Sequence, residues 1–206
     1  MTSDVLLVTP HPGTVASSYM QSVLALQAYD REHDHRLSGF ALMQCGAGRL
    51  PETRNTAVEV MKDQGAEWLW MVDSDMGFQP DTLDRLLACE QPVVGALCHG
   101  LRSAGPDGMF GSVAEQFATM YGPGFRPLIM WKKDELVPVY ATGAGCLLLH
   151  RSVFEKIEGG WFDPLPDTNG GTLGEDLSFF QRTNRAGIQA HVHSGIRTSH
   201  YQRFWI

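Results

Sequence analysis

Trp68-Leu69-Trp70-Met71-Val72-Asp73-Ser74-Asp75-Met76 is an apolar run that stops at two carboxylates one residue apart. Five apolar residues without a polar interruption read as a strand buried on both faces. Asp73 and Asp75 then stand where that strand leaves the sheet, the edge at which open α/β sheets bind ligands. In extended chain residues i and i+2 point the same way, so both carboxylates are expected to face one cation, or a polyanion held through it. The pair alone proves little. With 13 Asp in 206 residues, composition supplies about one Asp-x-Asp by chance. Its surroundings must carry the inference.

Outward from this strand the chain alternates. Val5 to Val8 is a strand closed by Thr9-Pro10-His11-Pro12-Gly13, and a helical pattern follows from Val15 to Tyr29. A second strand is expected over Ser38 to Met43, then a helix from Pro51 with Gly65 as its stop. After the Asp73 strand, Pro80-Asp81 opens a helix and Val93 to Leu97 returns as a strand. The order βαβαβαβ predicts an α/β fold, a Rossmann-like, mostly parallel sheet flanked by helices. Between His99 and Pro127 this rhythm breaks in a Gly- and Pro-rich stretch, read as a mobile lid in which only Ser112 to Met120 looks helical. Strands are then expected at Leu128 to Trp131, Leu136 to Tyr140, Cys146 to Leu149 and Ile188 to His193. Helices are expected at Arg151 to Ile157 and at Glu175 to Ala186, the second stopped by Gly187.

Length predicts one domain, with a nucleotide-binding half over about 1–98 and an acceptor and catalytic half over about 128–206. The net charge of −7 argues against nucleic acid as a partner, since no Lys/Arg cluster offsets it. Cys45, Cys89, Cys98 and Cys146 form no C-x-x-C pair, so reduced thiols in the cytoplasm are the expectation. No apolar stretch approaches transmembrane length and no leader pattern opens the chain.

Hard carboxylate oxygens suit Mg²⁺ or Mn²⁺, and an added imidazole tilts the choice toward Mn²⁺. A cation so placed offsets charge on a departing diphosphate. Asp176 is the candidate general base, since a carboxylate that accepts a hydroxyl proton must be ionised in the cleft. The competing account is that Glu175 and Asp176 only complement a helix dipole, which would also depress their basicity. Arg54 has a rival reading as a solvated helix residue, Trp131 and Trp161 as core aromatics, and Thr142-Gly143-Ala144-Gly145 as a tight turn. His191 and His193 share a strand face and are read as ordinary surface residues.

The chain resembles glycosyltransferases of the A-type fold, nearest their family 2-like members. The resemblance rests on Thr9-Pro10, Arg54-Asn55, Asp73-Ser74-Asp75, the segment from Tyr140 to Arg151, Gly174-Glu175-Asp176-Leu177-Ser178-Phe179-Phe180, and His200, in that order along nearly the whole chain. It implies that Asp75 ligates a divalent metal, Mn²⁺ or Mg²⁺, with His200 as a late ligand and Asp73 on the ribose or the metal's water shell. It implies that Thr9, Pro10, Arg54 and Ser74 lie along the nucleotide and diphosphate, and that Thr142 and Gly143 line the donor sugar. Asp176, beside Glu175, would be the base of an inverting enzyme. The donor would be a UDP- or GDP-sugar, the acceptor a glycan, lipid, small molecule or protein. The chain is short for that family, and a separate acceptor domain is not expected. A sugar nucleotidyltransferase and a non-catalytic nucleotide-sugar or carbohydrate binder on the same fold are the alternatives. The first departs from the sequence at Thr9-Pro10-His11-Pro12-Gly13, which lacks the Arg and Lys of its glycine-rich signature.

Overall fold

The computed structural model describes residues 4–46, 49–102, 115–167 and 170–201. The expected alternation is present: β1 (Val5–His11), α1 (Ser17–Glu32), β2 (Leu37–Gln44), α2 (Leu50–Asp63), β3 (Trp68–Val72), the short β4 (Met76–Gly77), α3 (Thr82–Leu87) and β5 (Val93–Leu97). Then come β6 (His99–Arg102), β7 (Glu115–Ala118), β8 (Met120–Gly122), β9 (Arg126–Pro127), β10 (Leu136–Val139), β11 (Ala141–Thr142) and β12 (Cys146–His150). Helices α4 (Arg151–Lys156) and α5 (Glu175–Arg185) precede β13 (Ala190–Arg197) and β14 (Ser199–His200). Gly65 after α2 and Gly187 after α5 take φ of 72° and 70°, the left-handed conformation in which helices commonly end.

Seven strands form one sheet in the order β10-β13-β5-β12-β3-β1-β2. β2, β1, β3, β5 and β13 run one way, while β12 lies antiparallel between β3 and β5, and β10 runs antiparallel to β13. The sheet is therefore mostly parallel, as expected, with a reversed strand at its centre.

Strand parity divides the core between the two faces. Leu69 and Met71 join Val58, Met61, Leu147, Leu149, Phe179 and Phe180 on the face covered by α2, α4 and α5. Trp70 and Val72 join Tyr19, Leu26, Leu83, Leu86 and Leu148 on the face covered by α1 and α3. The result is an α/β/α sandwich.

Two expected elements are corrected. The described part of the helix proposed for Ser112 to Met120 is strand instead, β7 running on to β8. Ala118, Met120 and Gly122 are buried while Thr119 and Tyr121 between them are less so, a period of two. Leu128 to Trp131 is irregular chain rather than strand. Leu128 N donates to the Met120 carbonyl (2.9 Å), after which Ile129 and Met130 turn into solvent. The expected lid is, where described, a hairpin of β6 on β7 followed by the small sheet β11-β8-β9, and residues 103–114 lie outside the described set.

Candidate functional site

β3 ends at Val72, and the Met76 amide donates to the Asp73 carbonyl (3.0 Å), so Asp73, Ser74 and Asp75 form a turn. Alternation stops where the strand does, and the two carboxylates take different partners. Asp73 keeps the parity of Leu69 and Met71, and that takes it toward α2 and α5. There Arg54 Nη2 donates to Asp73 Oδ1 at 2.9 Å. Asp75 instead faces His200, with Oδ2 and Nε2 3.2 Å apart.

Arg54 is 2% exposed, which excludes the solvated-face reading. Besides Asp73 it faces Glu175, Nε to Oε1 3.5 Å, and its Nη1 donates to the Ala144 carbonyl at 3.4 Å. One buried guanidinium thus joins three segments: the end of β3, the first turn of α5 and the turn before β12. Burial alone would lower its pKa, but Asp73, Glu175 and Asp176 reverse that and raise it. Burial also pushes the Asp73 carboxyl up, with Arg54 opposing. Arg54 is therefore a fixed cation beneath the carboxylates, and its guanidinium is not free to lie along a diphosphate.

Asp176 shows burial winning over the helix dipole. Its Oδ1 accepts from the Leu177 amide (2.7 Å), yet desolvation, with Glu175 adjacent, lifts its pKa from 3.8 to about 6. A carboxylate poised there is ionised at neutral pH and basic enough to take a proton. The start of α5 is positioned by the preceding loop. Ser178 Oγ accepts from Leu165 N (2.9 Å), Arg182 Nη1 donates to the Asp163 carbonyl (2.7 Å), and Asn184 Nδ2 donates to the Tyr140 carbonyl (2.7 Å). Asn55, next to Arg54, latches the same loop by donating to Asp163 Oδ1 (2.7 Å) and accepting from the Phe162 amide (2.8 Å).

The last strand brings His200 home. β14 pairs antiparallel with β4, placing His200 opposite Met76, and Tyr201 N donates to the Asp75 carbonyl at 2.8 Å. His200 Nδ1 lies 2.9 Å from the His99 carbonyl. A carbonyl can only accept, so Nδ1 carries hydrogen and Nε2 is the ring nitrogen that faces Asp75. A ring nitrogen so oriented beside a carboxylate oxygen is a donor set that fits Mn²⁺ or another borderline cation. Among the described residues no three His, Cys, Asp or Glu side chains gather as a closed metal site.

The remaining sequence-selected positions are internal. Thr9 is fully buried with its hydroxyl on Tyr19, and Pro10 is buried beside it. Ser74 is buried and its carbonyl accepts from Ala16 N (2.8 Å), fixing the entry to α1. The Thr142 hydroxyl is buried without a hydrogen-bond partner, and the Gly143 amide is spent on the Thr119 carbonyl (3.1 Å). A Cβ at Gly145 would stand 2.5 Å from Met76 Cε and 3.5 Å from Asp73 Oδ2, so the turn approaches the carboxylate closely. Trp161 is buried core with Nε1 donating to the Ile157 carbonyl, whereas Trp131 is half-buried. All four cysteines are free; burial pushes the Cys98 thiol up to about 12 and raises Cys146 too, so neither offers a thiolate. Sequence reasoning missed His99, which orients His200, although it stands just past the end of β5 on the ligand-binding edge.

No protein-family model matches the sequence, and no curated protein matches it. Solved structures do match the fold. A197 from STIV superposes with a TM-score of 0.57 at 15% identity over 97% of this chain and 86% of that one. A mutant of Drosophila β1,4-galactosyltransferase 7, in complex with manganese, UDP-Gal and xylobiose, gives 0.56 at 16% identity, over 98% and 71%. UDP-glucose pyrophosphorylase complexed with UDP-glucose gives 0.51 at 10% identity, over 98% and 93%. The architecture these structures share with this chain is a mixed α/β sheet flanked by helices.

Proposed function

We propose that the chain is a metal-dependent glycosyltransferase that moves a sugar from a UDP- or GDP-sugar to an acceptor hydroxyl with inversion. The observation that carries the reading is the Arg54 knot. A single buried cation holds Glu175, and with it the turn that carries Asp176, against the end of β3, on the sheet edge where such folds bind ligands. The fold likeness to structures complexed with UDP-sugars supports a nucleotide-sugar donor.

In this reading Asp75 and His200 would hold Mn²⁺ or Mg²⁺, which would supply positive charge toward a departing diphosphate. Asp176 accepts the acceptor's proton as its oxygen bonds to the anomeric carbon and the carbon–phosphate-oxygen bond breaks. Glu175 and Asp73, both facing Arg54, keep the Asp176 turn in place. Asp73, held by Arg54, is assigned to the ribose or the metal's water shell.

The test is a thermal-shift panel of UDP-, GDP- and TDP-sugars with and without Mn²⁺. One nucleotide should raise Tm only with metal, and Asp75→Ala and His200→Ala should each weaken that binding at least tenfold. Stabilisation of equal size without metal would overturn the metal assignment. Release of UTP from UDP-sugar and pyrophosphate would favour the nucleotidyltransferase. Binding with neither transfer nor hydrolysis would favour the non-catalytic binder.

A further inference from the structure

Leu97 ends β5, Arg197 ends β13, and the two are partners across a register shift between His193 and Arg197. Beside them opens a cavity of about 500 Å³, walled by His99, Ile129, Met130, Trp131, Lys133 and Arg197. It lies on the same sheet edge as Asp73, but β12 separates β5 from β3, so it stands roughly 10 Å away, two strand spacings. His99 links the two places, since its carbonyl holds the His200 ring.

The wall has two chemistries. Ile129 and Met130 are 83% and 84% exposed, the most exposed large hydrophobics among the described residues, and Trp131 continues the apolar surface inward. Lys133 and Arg197 are exposed cations, and neither pairs with a described carboxylate. The nearby acids are engaged elsewhere, Asp134 by Arg85 (3.5 Å) and Glu135 by Lys132 (3.4 Å). In a chain of net charge −7, two unpaired cations across from an apolar lip form a local inversion of the surface. A bare pyrophosphate gains nothing from the lip. A neutral apolar ligand gains nothing from the cations.

We infer that this cavity binds an amphiphilic anion, a phosphate joined to an alkyl chain, with the phosphate on Lys133 and Arg197 and the chain along Ile129, Met130 and Trp131. Binding there stands on the cavity alone. That it is the acceptor end of the cleft rests on the transferase reading.

Calorimetric titration of the full chain with butyl, hexyl and octyl phosphate tests it, with inorganic phosphate, octyl glucoside and UDP plus Mn²⁺ as separate arms. Affinity should rise about two- to fourfold per added methylene. Lys133→Ala with Arg197→Ala should weaken octyl phosphate at least tenfold and leave UDP binding intact. Ile129→Asn with Met130→Asn should abolish the chain-length dependence while Tm stays unchanged. Inorganic phosphate binding as tightly as octyl phosphate would reduce the cavity to a plain anion site. Octyl glucoside binding equally would make it a merely apolar one. Loss of UDP binding in the Lys133/Arg197 variant would assign the cations to the donor. Each of these three results overturns the proposal. Failure of UDP to bind the unaltered protein, with octyl phosphate still binding, would sink the transferase reading and leave this one standing.

Discussion

Arg54 shows how far a residue can be read before its neighbours are known. The resemblance carried by the Arg54-Asn55 pair implied a place along the diphosphate; in the fold Arg54 is a buried clamp between carboxylates. Sequence cannot reveal burial of a charge, because burial depends on which segments pack above it. Arg54→Met should destabilise the fold by about 3–5 kcal/mol in urea titrations, since it leaves Asp73 and Glu175 desolvated without their cation. A loss below 1 kcal/mol would mean the clamp is dispensable. Asp176 makes the complementary case. Its folded pKa of about 6 lies above its ordinary 3.8, so the folded state binds more protons than the unfolded between those values. Its contribution to stability is therefore fully present below about pH 4 and is lost as pH rises through 6, while activity that needs the ionised base falls as pH drops through 6. Asp176→Asn should cut turnover by about 10²–10⁴-fold and raise stability at pH 7 by about 1–2 kcal/mol. A variant both inactive and less stable would instead mark Asp176 as structural.

At the scale of elements, apolar runs were legible and direction was not. Leu69 to Val72 and Cys146 to Leu149 read equally as buried strands, yet β3 and β12 run antiparallel, and nothing in an apolar run records its polarity. Turns defeated side-chain geometry for a related reason. The i, i+2 rule for Asp73 and Asp75 holds in extended chain, and the turn that separates them is set by backbone contacts of Asp73 with Met76 and Gly145. The loop latch was legible only as the Arg54-Asn55 pair, because its partners Phe162 and Asp163 lie about a hundred residues on. Asn55→Ala should free this loop at a cost of about 1–3 kcal/mol, visible as faster proteolysis between Trp161 and Gly174. Unchanged cleavage would show that Arg182 and Ser178 hold it without Asn55.

At the scale of the whole molecule, composition and alternation were enough for the architecture, since layered α/β packing follows from buried strands and amphipathic helices. No helix among the described residues is long and apolar enough to cross a membrane. The centre of the sheet is β12, fully buried from Cys146 to Leu149, and Leu147→Ala should cost about 2–5 kcal/mol by the cavity it opens. A loss under 1 kcal/mol would mean the sheet closes around the gap. The position of β12 also sets a timetable. β3 and β5 are both synthesised within the first 97 residues, but they touch only through a strand that begins at residue 146. At about 5–20 residues per second a growing chain holds two apolar strand edges unpaired for several seconds. A chain cut at residue 98 should therefore leave the facing edges of β3 and β5 open, and neither half should fold by itself.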